Sequence, residues 1–374
     1  MILYHMICMS SQVRSSSRNA MQKQRDVFYK GLITFGSLVV VIALFEGLVS
    51  YLMLSGLQRA SPEIILTYFR GYYWDSVYRH PIQFDPTCSV YDREVFYRLR
   101  PRGCLHTGLR FGNFFSINNL GVRDDEESLA APEIISIGDS HAMGWGVDQQ
   151  DTYAQIIERQ TGMRALNMGI ASFGTVREMM LLNRADLSGL KYLIIQYDDN
   201  DLEENQKYLK NGCRLQTSSR QEWEYLAEQE KANKRYYPGA HFAGLMRSAF
   251  RLLKRNVGGR LRQNIVYDAN EHATDFLAVL ASFDRPELQK ARIIVFDVRN
   301  EIHRGNPAET TFSKALASLE ASENFKKFAS RITVLDLASD LNGASYRHIV
   351  DNHINEDGHR LIARAVLEHI KYEK

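Results

Sequence analysis

The chain has 374 residues, with 46 Lys+Arg against 44 Asp+Glu for a formal charge of +2; 45% of its residues are apolar and 24% charged. That balance is ordinary for a folded protein and excludes a disordered or collagen-like chain, a multi-span transporter and a nucleic-acid binder that works by bulk charge. Four cysteines are too few for a disulfide-built scaffold, although one or two bridges stay open to the chain.

At the head of the chain, residues 1–31 carry Arg14, Arg18, Lys23, Arg25 and Lys30 against Asp26 alone. The first 20 residues are Ser-rich, and Met21 offers an alternative start. Leu32 to Leu54 then read LITFGSLVVVIALFEGLVSYLML, 23 residues with a single charge, Glu46. About 20 apolar residues cross a bilayer core, and one central charge costs about 2.5–3.5 kcal/mol, which so many aliphatic side chains offset. Glu46 also sits past the midpoint, where protonation or snorkelling lowers that cost. Residues 32–54 are therefore expected to span a membrane, in preference to a buried soluble helix or a cleaved signal peptide. The positive flank holds residues 1–31 in the cytoplasm and exports everything from about residue 55.

Export places Cys88, Cys104 and Cys213 in an oxidising compartment. Between the first two lies YDREVFYRLRPRG, strand-like with a turn. A bridge closing such a loop adds about 3 kcal/mol. Cys88–Cys104 with Cys213 free is the expected pairing, and three unpaired thiols is the alternative. Residues 55–130 form a juxtamembrane region rich in Tyr, Phe and Arg, with β-like runs such as RFGNFFSIN.

From residue 131 onward, short apolar runs alternate with helical patterns. The runs at 133–138, 164–169, 191–197, 291–298 and 331–337 have the length and near-continuous apolarity of central parallel strands. Between them, Asp151 can cap a helix with Tyr153, Ile156 and Ile157 inward that stops near Gly162. Thr175 and Glu178 have capping-box spacing for the next. The last helix starts near Asp357 and carries Leu361, Ile362, Ala365, Val366 and Ile370 on one side. This alternation predicts a doubly wound α/β/α sandwich on a mainly parallel five-stranded sheet. A largely helical insertion interrupts it at about 202–288. There, Phe242, Leu245, Met246, Ala249 and Leu253 face one way and Arg247, Arg251, Lys254 and Arg255 the other. The expectation is a helix packed on the domain with a solvated basic face; a lid, or a surface resting on anionic lipid or polysaccharide, are the alternatives.

Candidate chemistry gathers at the ends of the strands, where α/β folds place ligands. Gly138-Asp139-Ser140 follows the first, Asn167-Met168-Gly169 ends the second, and Asp198-Asp199-Asn200-Asp201 ends the third. Asp351-Asn352-His353 stands before the final helix. Serine is a nucleophile only with a base at hand, and a glycine lets a backbone N–H approach a substrate oxygen. Taken together and in order, these residues resemble the SGNH (GDSL-type) hydrolase superfamily, with Ser140, Gly169, Asn200 and His353 at its four name-giving positions. The resemblance covers roughly 133–200 and 290–370. Upstream, the run from Ile117 to Arg123 and Gly144-Trp145-Gly146-Val147 look like membrane-anchored bacterial members.

The resemblance implies a flavodoxin-like sandwich at a bacterial inner membrane, with the catalytic part periplasmic. It implies that Ser140 attacks an ester, His353 moves the proton, and Asp351 orients His353. The Ser140 and Gly169 N–H groups and the Asn200 side chain would form an oxyanion hole, each donor contributing about 2.7–4 kcal/mol. Many esterases of the superfamily place the acid three residues before the histidine; the two-residue D-x-H spacing here looks like alginate-type O-acetyltransferases and related polysaccharide-modifying proteins. Asp139 reads as structural, and His141 as a loop residue or a substrate contact. Asp198, Asp199 and Asp201 read as loop carboxylates, and His359 as a residue that caps or packs at the final helix. No cofactor, metal or nucleic-acid partner is expected. The expected function is an esterase acting on O-acyl groups, acetyl foremost, of cell-envelope carbohydrate. Three alternatives stand beside it: an O-acetyltransferase with the same triad, a metal-dependent phosphoesterase on Asp198–Asp201 with Asp351 and His353, and a silent glycan-binding protein.

Overall fold

A computed structural model describes residues 2–55, 63–73, 78–233, 235–258, 268–283, 285–298, 311–320, 331–341 and 343–370. Helix α1 (Ile2–Ser55) is continuous, and its part from Met21 to Ser55 is long and apolar enough to cross a membrane. Residues 21–44 are exposed on every side. Its last turns behave differently. Val49 and Met53 are buried against Tyr72 and Tyr73 of α2 (Glu63–Tyr73), Leu109 and Val350. Two antiparallel ribbons follow, β1 (Ser89–Asp92) with β2 (Phe96–Leu99) and β3 (Cys104–Thr107) with β4 (Gly112–Phe115). The expected disulfide joins Cys88 to Cys104, with Cα atoms 5.2 Å apart, and Cys213 is free and exposed.

All five apolar runs become strands: β5 (Ile134–Ile137), β6 (Ala165–Asn167), β7 (Tyr192–Tyr197), β8 (Arg292–Asp297) and β9 (Ile332–Leu335). They pair in parallel in the order β6-β5-β7-β8-β9, the flavodoxin-like arrangement. The helices in chain order are α3 (Ser140–Met143), α4 (Tyr153–Thr161), α5 (Thr175–Leu182), α6 (Asp201–Lys210), α7 (Arg220–Asn233), α8 (Ala240–Gly258), α9 (Ala269–Ser282), α10 (Pro286–Lys290), α11 (Phe312–Glu320), α12 (Ala338–Leu341) and α13 (Glu356–Leu367). Strand alternation divides the core in two. Ile134, Ile194 and Ile294 face Ile156 and Ile157 of α4 and Ile362 and Val366 of α13. Ile135, Leu193, Ile195, Ile293 and Val295 face Met179 of α5, Phe276 and Leu277 of α9 and Phe312 of α11. Each such side chain contributes about 1.5–3 kcal/mol by leaving water. Val95, Tyr97, Leu99, Phe115 and Ile117 of the ribbon region are buried in that second cluster, so the ribbons share the sheet's core.

Several local expectations are corrected. Asp151 does not cap α4, whose N-cap is Thr152 without a side-chain bond; instead His359 Nδ1 on α13 accepts the Tyr153 N–H at 3.1 Å. The Thr175–Glu178 box does not form either. Thr175 Oγ1 donates to Asp201, Glu178 is buried, and Glu204 of α6 accepts the Arg177 N–H. In both cases a neighbouring element satisfies the first turn, which sequence spacing does not register. Within the expected insertion, helix α6 packs against α9, and α9 against α11, in one layer, whereas α7 packs against β1 and α8 against α1 and α2.

Helix α8 packs on the domain with Arg247, Arg251 and Lys254 exposed, as expected, but part of its apolar side is exposed as well. It buries His241, Gly244 and Ser248, whereas Phe242, Met246 and Leu253 are exposed. The reason lies in α1. Glu46, 5% exposed, accepts the His241 and Phe242 N–H groups and the Tyr236 hydroxyl, and the small residues of α8 permit the close approach. The carboxylate inside the apolar run is thus met by a helix N-terminus, a partner beyond the protonation or snorkelling that the sequence suggests.

Burial lowers both His106, on β3, and His359 to about 3. Their unfolded values are higher, so between about pH 6.5 and 3 the unfolded chain binds more protons, and stability falls as pH falls through that window. The slope is up to about 1.4 kcal/mol per pH unit for each group. His106→Phe removes one of these contributions, so its urea midpoint is expected to rise relative to that of the wild type as pH falls from 7 to 5.

Candidate active site

Strand β5 delivers the chain into α3 through Gly138-Asp139. Gly138 has φ of 151°, and a Cβ there would lie 2.5 Å from Gln196 Oε1 and 2.7 Å from the Ala142 Cβ, so only glycine serves. Gln196, on the neighbouring β7, accepts the N–H groups of Asp139 (3.0 Å) and Ala142 (3.1 Å). Asp139 is the N-cap, its Oδ1 accepting the His141 N–H at 2.8 Å. Its burial, with Asp198 adding to the effect, pushes its carboxyl up to about 7. Ser140 is therefore held at the first helical position by bonds that leave its hydroxyl unused for structure.

The loop 351–353 approaches from the other side of the crevice. Asn352 adopts φ of 70°, a left-handed conformation that Asn tolerates well. Buried Arg347 braces the loop, donating to the carbonyls of Leu341 (2.9 Å), Asn352 (2.9 Å) and Val298 (2.6 Å). The His348 N–H donates to the His353 carbonyl at 2.8 Å. These bonds bring His353 Nε2 to 2.8 Å from Ser140 Oγ and its Nδ1 to 2.6 Å from Asp351 Oδ1.

Asp351 is buried yet well supplied with donors. Its Oδ2 accepts from Trp145 Nε1 at 2.7 Å and from the Tyr73 hydroxyl at 3.0 Å. Burial raises its pKa, but the His353 charge and the bonds from His353 and Trp145 outweigh this and hold the carboxyl below its ordinary value. An ionised carboxylate only accepts, so His353 carries its proton on Nδ1 and turns the Nε2 lone pair to the Ser140 hydroxyl. The Trp145 ring stacks on His353 at 4.8 Å and 14°, and the His106 ring meets it edge-on at 4.4 Å. Arg123, fully buried under Phe115, holds the tryptophan loop through the carbonyls of Met143 (3.0 Å), Gly144 (2.6 Å) and Val147 (2.7 Å).

The structure thus brings Ser140, His353 and Asp351 together. His141 lies beside them, its Nδ1 accepting the Ile354 N–H at 3.3 Å and its ring 5.0 Å from that of His353. Burial first, and then His353, push His141 well below the ordinary histidine value. The other two expected donors are arranged differently. The Gly169 N–H donates to Asn167 Oδ1 at 3.0 Å, since a buried amide requires an acceptor. Asn200 is exposed at the N-cap of α6, without a capping bond from its side chain. Asp139, His141 and Asp198 offer ligand atoms within 4.8 Å of one another. The phosphoesterase set does not assemble, because Asp201 is turned to Thr175 while Asp351 and His353 face Ser140.

Sequence reasoning missed Tyr73, Gln196 and Arg347. It quoted Trp145 and Arg123 only as parts of runs. A buried indole donor five residues past the serine is a signal that could have been used; nothing local marks Tyr73, which lies 278 residues from its acceptor.

No family model matches the sequence, and no curated protein matches it. Among solved structures the chain is similar to a member of the lipolytic protein G-D-S-L family from Veillonella parvula, at 14% identity over 63% of this chain and 96% of that one, TM-score 0.36. It is similar to a carbohydrate esterase (13% identity, 65% and 69% covered, TM-score 0.35). It is also similar to an extracellular lipase from Streptomyces rimosus (14% identity, 64% and 100% covered, TM-score 0.33).

Proposed function

We propose that this chain is a membrane-anchored serine esterase of SGNH type, acting through an acyl-enzyme on O-acyl esters, acetyl foremost, of cell-envelope carbohydrate. The observation that carries the reading is the continuous chain from Ser140 Oγ through His353 to Asp351, at 2.8 and 2.6 Å. Ser140 Oγ attacks the ester carbonyl carbon while His353 Nε2 takes its proton. Asp351 stabilises the imidazolium that results. The Ser140 N–H faces the oxygen that becomes negative. The Gly169 N–H joins it by exchanging its Asn167 acceptor, and the Asn200 amide by closing over the ester. The carbon–oxygen bond to the alcohol then breaks, and His353 returns the proton to that oxygen. Water attacks the acyl-serine by the same route, losing its proton to His353, to release acid and free Ser140. A sugar hydroxyl in place of that water would make the same site an O-acyltransferase, and the D-x-H spacing favours keeping that second reading. The positive residues of α1 that precede the apolar run 32–54, and the Cys88–Cys104 bridge, support a cytoplasmic N-terminus and an exported catalytic part.

A fluorophosphonate probe is expected to label the wild-type chain and not Ser140→Ala; equal labelling of both would overturn the reading. An acyl-chain series of model esters, with acetate release measured with and without a glycan acceptor, separates hydrolysis from transfer. Trp145→Phe and Tyr73→Phe each remove one donor to Asp351. Each is expected to cost about 1.5 kcal/mol of imidazolium stabilisation, or roughly tenfold in kcat at unchanged KM.

A further inference from the structure

We propose that helix α8 is a second membrane-binding element, lying in the lipid–water interface beside α1 with Phe242, Met246, Phe250 and Leu253 inserted among the acyl chains. The inference extends the reading of α1 as a membrane span. The four residues recur at spacings of four, four and three along one side of α8 and are 54–68% exposed. The opposite stripe, His241, Gly244 and Ser248, is buried against protein. A helix that turns small and polar residues inward and large apolar ones outward has an apolar solvent on its outer side.

The position of α8 along α1 identifies that solvent. Its first turn is fastened at Glu46, His241 Nε2 lies 2.8 Å from Ser50 Oγ, and the rings of Phe242 and Phe45 meet at 5.9 Å. Residues 45–50 fall inside the apolar run 32–54, and about 12 Å of α1 continues past Glu46. The exposed face of α8 therefore begins at a depth where the outer side of α1 (Leu44, Leu48, Tyr51, Leu54) is itself exposed and apolar, and the two surfaces are continuous. Arg247 and Lys254 flank the stripe and are exposed, and Arg251 donates to the Gly71 carbonyl. Long cationic side chains along an apolar stripe reach anionic headgroups while their stems stay in the apolar layer. Tyr237 adds an exposed phenol at the entry to the helix, as membrane interfaces favour.

This arrangement sets the height of the site above the bilayer. The Tyr68 hydroxyl on α2 donates to the Leu245 carbonyl of α8, α2 ends in Tyr73 on Asp351, and Val350 packs with Val49 and Met53 of α1. The crevice is fastened to the membrane surface and does not swing on a tether.

The test uses the full chain carrying Cys8→Ser and Cys213→Ser, reconstituted in vesicles of phosphatidylcholine and phosphatidylglycerol. Nitroxide labels are placed singly at Met246→Cys and Phe250→Cys, with Leu44→Cys on α1 and Tyr225→Cys on α7 as lipid and water references. Collision with oxygen relative to a water-soluble nickel chelate is expected to be several-fold higher at 246 and 250 than at 225, approaching the value at 44. Leu253→Cys replaces either position if that variant does not fold. A ratio equal to that at 225, with 44 in lipid, overturns the proposal and leaves the span intact. Low access to both reagents at 246 and 250 also overturns it, since protein or a second copy then covers the face. A water-like value at 44 overturns the span and the proposal together.

Discussion

Asp351→Asn is expected to lower kcat by about 10⁴-fold, nearly as much as His353→Ala. The cause is the direction of two neighbouring donors. Trp145 Nε1 and the Tyr73 hydroxyl both point at Oδ2, so an amide at 351 must present its oxygen to them. Its NH2 group then faces His353 Nδ1, which becomes an acceptor. The ring proton moves to Nε2, and Ser140 loses its base. Phenylalanine at both 145 and 73 frees the amide to turn its oxygen toward His353. The triple variant is therefore expected to be faster than Asp351→Asn alone, although each phenylalanine slows the wild type. Steady-state kinetics on an acetyl ester checks this, and absence of any recovery would count against the tautomer argument. Ser140→Ala with His353→Ala is expected to be no slower than either change alone, since the two act as one unit.

Gly169→Ala is expected to destabilise the chain by about 3 kcal/mol or more, the upper end of overpacking costs. A Cβ at 169 would lie 2.3 Å from the Met143 amide nitrogen and 2.6 Å from the Ala142 carbonyl carbon. Both contacts are backbone of α3, which cannot move aside without displacing Ser140. Gly162→Ala is the comparison. It has φ of 71° with nothing within 4 Å, so only conformational strain of about 1–2 kcal/mol is expected there. Urea unfolding of the two variants measures the difference, which is expected to favour Gly162→Ala. Activity is expected to fall with Gly169→Ala even in the fraction that folds.

What was legible in advance follows a physical divide. The five strands were readable because a strand buried on both faces must be apolar at every position, and each such run is short and contiguous. Ser140 and the Asp351–His353 pair were readable because strand ends and a helix start carry their residue types in short stretches. The caps of α4 and α5 were misread because their first turns are satisfied by His359 and Glu204, from helices far along the chain or across the layer. The expected oxyanion donors are only half readable. The strand ends brought the right residue types, but Asn167 engages the Gly169 amide, and only coordinates reveal that bond.

Taken alone, the sequence showed the apolar helix, the cysteines that pair, the alternating sandwich, and the order in which Ser140, Asp351 and His353 appear, because each depends on composition or on period within a few residues. The folded chain decided which face of α8 meets protein, which donors hold Asp351 ionised, and where the site sits relative to α1. Those depend on groups such as Glu46 and His241 or Tyr73 and Asp351, separated by 195 and 278 residues. A helical period reveals that a helix has two sides, but what covers each side is set by packing between distant segments.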